Sequence, residues 1–118
     1  TPASAVPALA LRQLGRLTSP WMRHFVAYDP QPALAKLEMP VLALRGDLDA
    51  QVAEENLEAI IAVMDESGGD LTAKTYPGLN HLFQPAQRGD VAEYANIPIT
   101  FSEQVMNDIA IWIKDQMK

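Results

Sequence analysis

The sequence contains no cysteine. That excludes a disulfide scaffold, a thiol nucleophile supplied by these residues and any thiolate metal site, while leaving the redox compartment open. No apolar run approaches the roughly 18 residues of a membrane span, and no basic segment leads into an apolar stretch at the N-terminus, so the chain reads as soluble with its compartment undecided. Basic residues are few: nine Lys and Arg against fifteen Asp and Glu give a formal net charge of -6. Such a balance argues against nucleic acid or an anionic membrane as the main partner. There are two histidines, His24 and His81, and neither sits in an H-x-H or H-E-x-x-H array, which argues against a transition-metal centre. Internal repeats and low-complexity tracts are absent as well. What remains is 118 residues with 48% hydrophobic content, enough for one domain with a real core.

Residues 1–7, TPASAVP, are small and Pro-containing and suit a linker or a cut end. A first helix is expected over Ala8 to Leu17, and a second opens at Ser19-Pro20, a capping Ser followed by Pro at the first helical position. The second carries Trp21, Met22, Phe25 and Tyr28, read as helix packing, and Asp29-Pro30 ends it; His24 on the same helix reads as structural. A short helix over Pro32 to Leu37 precedes Val41 to Leu44, a continuous apolar run expected to be a strand buried on both faces, as in a parallel sheet. Ala53 to Asp65 places Leu57, Ile60, Ile61 and Met64 at helical spacing, and Ser67-Gly68-Gly69-Asp70 stops it. Leu71 to Tyr76 then reads as a second strand, so strand, helix and strand form a parallel crossover unit. Residues 84–100 are polar and without periodicity, which predicts a long loop. The last helix starts near Thr100 or Ser102, with Thr100-x-x-Glu103 as a capping box; Val105, Met106, Ile109, Trp112 and Ile113 form its apolar side, and Met64, Met106 and Trp112 read as core.

The chemistry gathers at the strand ends. Asp47 and Asp49, in GDLDAQV, follow the first strand. An EF-hand reading begins well, with Asp47, Asp49 and Glu58 at loop positions one, three and twelve, but Gln51 and Val52 stand where an oxygen ligand and the turn glycine are needed, and a strand precedes the segment. The plain alternative is that the two aspartates end a strand and cap a helix. Against it stands the second strand end, where Pro77-Gly78-Leu79-Asn80-His81 delivers a histidine in the same relative position. Parallel strands end on one side of the sheet, where sites in such folds form. An Asp accepting from one imidazole nitrogen fixes the tautomer and leaves the other nitrogen as a general base, which is two thirds of a nucleophile triad.

The segments MPVLALRGDLDAQV and YPGLNHLF resemble the C-terminal part of an α/β-hydrolase, in which P-V-L-x-L-x-G-x-x-D carries the triad acid and a later G-x-x-H the triad histidine. The resemblance spans residues 19 to 118. It implies an α/β fold with an incomplete sheet, residues 1–29 forming a lid-to-core helical segment and residues 30–118 the core. It also implies Asp49 as the acid, His81 as the base, Asp47 as a turn residue, Gly78 as a tight-turn residue and Asn80 as a support for the histidine. HLFQPAQRGDVAEY resembles an extended loop of the dienelactone-hydrolase and prolyl-oligopeptidase-like groups.

The third triad member is missing. None of Ser4, Ser19, Ser67 and Ser102 lies in a G-x-S-x-G elbow, so the nucleophile and its oxyanion donors are expected upstream. The resemblance thus implies a serine hydrolase of the ester or acyl class that needs no cofactor, with a small-molecule substrate, inactive as these residues alone. An Asp or Cys at the elbow would change the chemistry to that of dehalogenases, epoxide hydrolases or dienelactone hydrolases. The competing reading is a non-catalytic hydrolase-like interaction module. Two strands leave both sheet edges unpaired, which predicts self-association, most simply a dimer, or pairing with a missing N-terminal part.

Overall fold

The computed structural model describes residues 8–118; the expected linker at 1–7 lies outside the described residues. The chain divides into two compact units, with the boundary between Pro30 and Gln31.

The first unit holds α1 (Ala8–Leu17) and α2 (Pro20–Ala27). Ser19 caps α2 as expected, its hydroxyl oxygen accepting from the Met22 amide at 3.2 Å, with Pro20 in the first turn. Trp21, Phe25 and Tyr28 do not enter a core: all three are exposed. Trp21 and Phe25 stack on each other, ring centroids 5.3 Å apart, because residues four apart on a helix meet whether or not a core lies beneath them. His24 lies against Tyr28 in the same way.

The second unit carries α3 (Gln31–Leu34), β1 (Val41–Gly46), α4 (Glu54–Ser67), β2 (Leu71–Tyr76), a 3-10 helix η1 (Val91–Asn96) and α5 (Glu103–Gln116). It is a mixed α/β arrangement around a two-stranded parallel sheet, in register from Val41 opposite Leu71 to Gly46 opposite Tyr76. β1 runs two residues beyond the apolar stretch and is half-buried along Val41 to Arg45, not buried on both faces, since a two-stranded sheet recruits too few helices to cover it. α4 stops where Gly68 turns left-handed, φ 74°, and the Gly69 amide bonds the Met64 carbonyl at 2.8 Å.

Tyr76, Leu79 and Val105 form the buried cluster, with Leu44, Phe83, Phe101 and Ile109 packed against it; Met64 is fully buried elsewhere. On α5 the inward stripe is Val105, Ile109 and Trp112, at i, i+4 and i+7. Met106 and Ile113 flank that stripe and are exposed, correcting their assignment to the core and to the apolar side of α5. The Thr100-x-x-Glu103 capping box does not form. Glu103 is already the first helical residue and cannot reach back, and Ser102 stands at the cap with its amide on the Phe83 carbonyl, 2.8 Å. Lys74 Nζ and the Tyr76 hydroxyl both donate to Asp108 Oδ2, at 2.8 and 2.7 Å, fastening α5 to β2. Among the described residues no helix is long and apolar enough to cross a membrane.

Candidate active site at the strand ends

β1 and β2 end side by side, and their two following turns are tied together through the main chain. The Asp47 amide donates to the Tyr76 carbonyl and the Leu48 amide to the Leu79 carbonyl, both at 2.9 Å. Gly46 makes this approach possible: a Cβ there would run into the Leu79 and Asn80 carbonyl oxygens. Asp47 is more than a turn residue, because its Oδ1 accepts from the Gly78 amide at 2.7 Å and so links the acid turn to the histidine turn.

Asp49 does not cap α4, whose N-cap is Ala53 without a side-chain bond. Its Oδ1 accepts from the amides of Gln51 and Val52, at 2.9 and 2.8 Å, a local turn that aims the second oxygen away from its own loop. That oxygen, Oδ2, lies 2.9 Å from His81 Nδ1. Burial, the largest influence on Asp49, pushes its pKa up; the bond to His81, the two amides and the charge of His81 together outweigh it and hold the carboxyl below its ordinary range. The ionised carboxylate only accepts, so Nδ1 carries the hydrogen, and in the neutral ring Nε2 is then left as an acceptor.

The turn beneath His81 is built on Asn80, fully buried. Its Oδ1 accepts from the amides of Leu82 and Gln84, both at 3.0 Å, and its amide nitrogen donates to Gln84 Oε1. Phe83 adopts a left-handed backbone, φ 55°, uncommon for a side chain of its size. The strain is offset by its amide bond to the Asn80 carbonyl, 3.0 Å, and by ring contacts with Tyr76 and Phe101.

Asp49 and His81 line a cleft of about 370 Å³, together with Val41, Leu44, Leu57 and Ile60. A larger cleft of about 470 Å³ lies in the 85–99 segment; its one titratable group, Glu93, is already bonded to backbone amides, so the paired acid and imidazole face the first cleft and not this one. Asp47 and Asp49 have separate partners, and among the described residues no three His, Cys, Asp or Glu side chains gather as a metal site. Ser19 donates its hydroxyl to the Arg16 carbonyl at the end of α1, and Ser67 to the Met64 carbonyl of its own helix, α4.

The 84–100 stretch is a long loop as expected, but it contains η1 and is pinned from within. Asp90 caps η1 through the Glu93 amide, 3.0 Å, while the Glu93 carboxylate accepts from the amides of Gln87, Arg88 and Gly89. Those amides, Gly89 first, hold Glu93 below the ordinary carboxylate range despite its burial. A six-residue 3-10 helix has no 3.6-residue stripe, so periodicity passes over it; Asp90-x-x-Glu93, a capping-box spacing, was its available sequence signal. Comparison with protein-family models, with curated proteins and with solved structures finds no match.

Proposed function

We propose that these residues are the C-terminal part of an α/β-hydrolase and supply the acid and the general base of a serine hydrolase acting on ester or related acyl bonds. The observation that carries the reading is the 2.9 Å bond between Asp49 Oδ2 and His81 Nδ1, formed where two parallel strands end side by side. In this mechanism Nε2 of His81 takes the proton from a serine hydroxyl as it attacks the acyl carbon, and Asp49 stabilises the imidazolium that results. His81 then gives the proton to the leaving alcohol, and the same cycle with water releases the acid. Serine and oxyanion donors come from a strand-to-helix elbow on another segment. The cleft beside His81, lined by apolar side chains of β1 and α4, suits the acyl or alkyl portion of such a substrate. The chemistry calls on no cofactor.

The test is an extension of the open reading frame upstream. A product carrying a G-x-S-x-G elbow should hydrolyse an activated aryl ester, whereas the 118-residue chain alone gives background hydrolysis that His81→Ala leaves unchanged. An extended frame with no nucleophile at an elbow would defeat the proposal. It would favour the second reading, a binding module, for which the exposed Met106, Ile111 and Ile113 of α5 and the open sheet edges are the supporting features. Either reading leads us to propose that the isolated chain pairs with a second copy or with its missing N-terminal part. Light scattering over a dilution series should detect a dimer, and a monomer at every concentration would contradict self-association.

A further inference from the structure

The turn that carries the acid is anchored to β1 by the Arg45 guanidinium, which donates to the Val52 and Asp49 carbonyls at 3.2 and 3.3 Å, but its outer residues face solvent. Residues 50–53 are exposed, and the two amides that orient the Asp49 carboxylate, those of Gln51 and Val52, belong to this exposed stretch. Exposed bonds of that kind open easily one at a time, so the turn depends on several acting together. The η1 segment meets the turn at two points. Gly89, with φ 82°, lies so close to the Leu48 carbonyl that no Cβ fits between them. Tyr94, half-buried on η1, donates its hydroxyl to Gln51 Oε1 at 2.7 Å across 43 residues of sequence. The Gly89 contact is held from behind by Glu93, whose carboxylate pins the amides of residues 87–89.

We propose that Tyr94 is a positioning residue for the acid: through Gln51 it holds the 49–52 turn so that Asp49 Oδ2 meets His81 Nδ1. Gln51 is the coupling element, since its side chain takes the Tyr94 hydroxyl while its own backbone amide holds the other carboxylate oxygen. Tyr94 touches neither the imidazole nor the reacting atoms and acts through the acid alone. The inference rests on the acid and histidine reading of the site, and it deepens that reading by giving the 85–97 segment a task.

The 118-residue chain suffices for the test. At about pH 9 an ordinary imidazole is neutral, and nitrogen NMR shifts of His81 report the ratio of its Nδ1–H to Nε2–H tautomers. Asp49→Asn should convert His81 largely to the Nε2–H form. Tyr94→Phe and Gln51→Leu, which cut one hydrogen bond from its two ends, should each lower the ratio about fivefold, and the double variant should go no further than Gln51→Leu alone. Lys74→Met, which loosens α5 on β2 instead, should leave the ratio in place. If Asp49→Asn moves the tautomer and Tyr94→Phe does not, the brace is overturned and the acid and histidine pair stands. If Asp49→Asn moves nothing, the pair itself fails and the brace with it. A fall in Tyr94→Phe that merely follows a global loss of amide protection would also overturn the proposal.

Discussion

The two turns that build the site are made in opposite ways. Asp49 is a buried side chain, 7% exposed, on an exposed turn, whereas His81 is an open side chain, 36% exposed, on a turn founded on the fully buried Asn80. On the proposed reading the acid is shielded so that its hydrogen bond is strong, while its turn is held by local amides, by Arg45 and by an outside tether. On the same reading the base has to be reachable by substrate, so its precision comes from what lies beneath it. Tests of the comparison therefore separate into chemistry lost at the acid turn and structure lost at the histidine turn.

The largest effect is expected at Asp49. In a longer product that carries the nucleophile, Asp49→Asn should lower turnover by about four orders of magnitude, as when a triad acid is lost and the imidazole takes the wrong tautomer. Asp47→Asn keeps an oxygen for the Gly78 amide and should cost less than about tenfold. Steady-state kinetics on both variants checks this, and equal effects would assign the acid wrongly. Next comes Asn80→Ala, expected to lower the stability of the 118-residue chain by about 3 kcal/mol, because each stranded buried partner costs about 1–3 kcal/mol. Urea unfolding reads it, and a loss under about 0.5 kcal/mol, the ordinary surface range, would mean that the histidine turn does not depend on its buried foundation.

A smaller loss, about 2 kcal/mol, is expected for Gly89→Ala, which combines a left-handed backbone with a Cβ directed at the Leu48 carbonyl. The smallest effect is the response to acid. Asp49, Glu93 and Asp108 all have lowered folded-state pKa values, so the stability they contribute is present above the ordinary carboxylate range and is lost as pH falls through about 4 and below. Glu93→Gln should flatten that acid limb in a pH series of thermal melts, and an unchanged limb would remove Glu93 as an anchor. At the alkaline end Tyr76, pushed up to about 12 by burial and by Asp108, holds its contribution below pH 10 and loses it as pH rises toward 12.

The same contrast governs what could be read from the chain beforehand. Strand, helix, strand and the Asp49 and His81 pair were legible, since apolar runs, the Gly68 stop and the G-x-x-D and G-x-x-H spacings are local signals. Asn80 was legible only as a support, because nothing local announces that an Asn will be fully buried and bonded to two amides and a glutamine. The η1 brace was missed because Tyr94 and Gln51 are joined across 43 residues, and a 3-10 turn carries no helical stripe. Met106 and Ile113 were misplaced for a related reason: spacing identifies an apolar sector of α5, but the position of β2 decides which line of it is covered.

The central claim, that Asp49 and His81 activate a serine on another segment, is tested most directly by a serine-directed fluorophosphonate. An upstream-extended product should be labelled at one serine in a G-x-S-x-G elbow, and His81→Ala should slow that labelling by orders of magnitude, while the 118-residue chain takes up no label. Labelling that proceeds equally fast with His81→Ala, or stoichiometric labelling of Ser4, Ser19, Ser67 or Ser102 in the chain alone, would contradict the account.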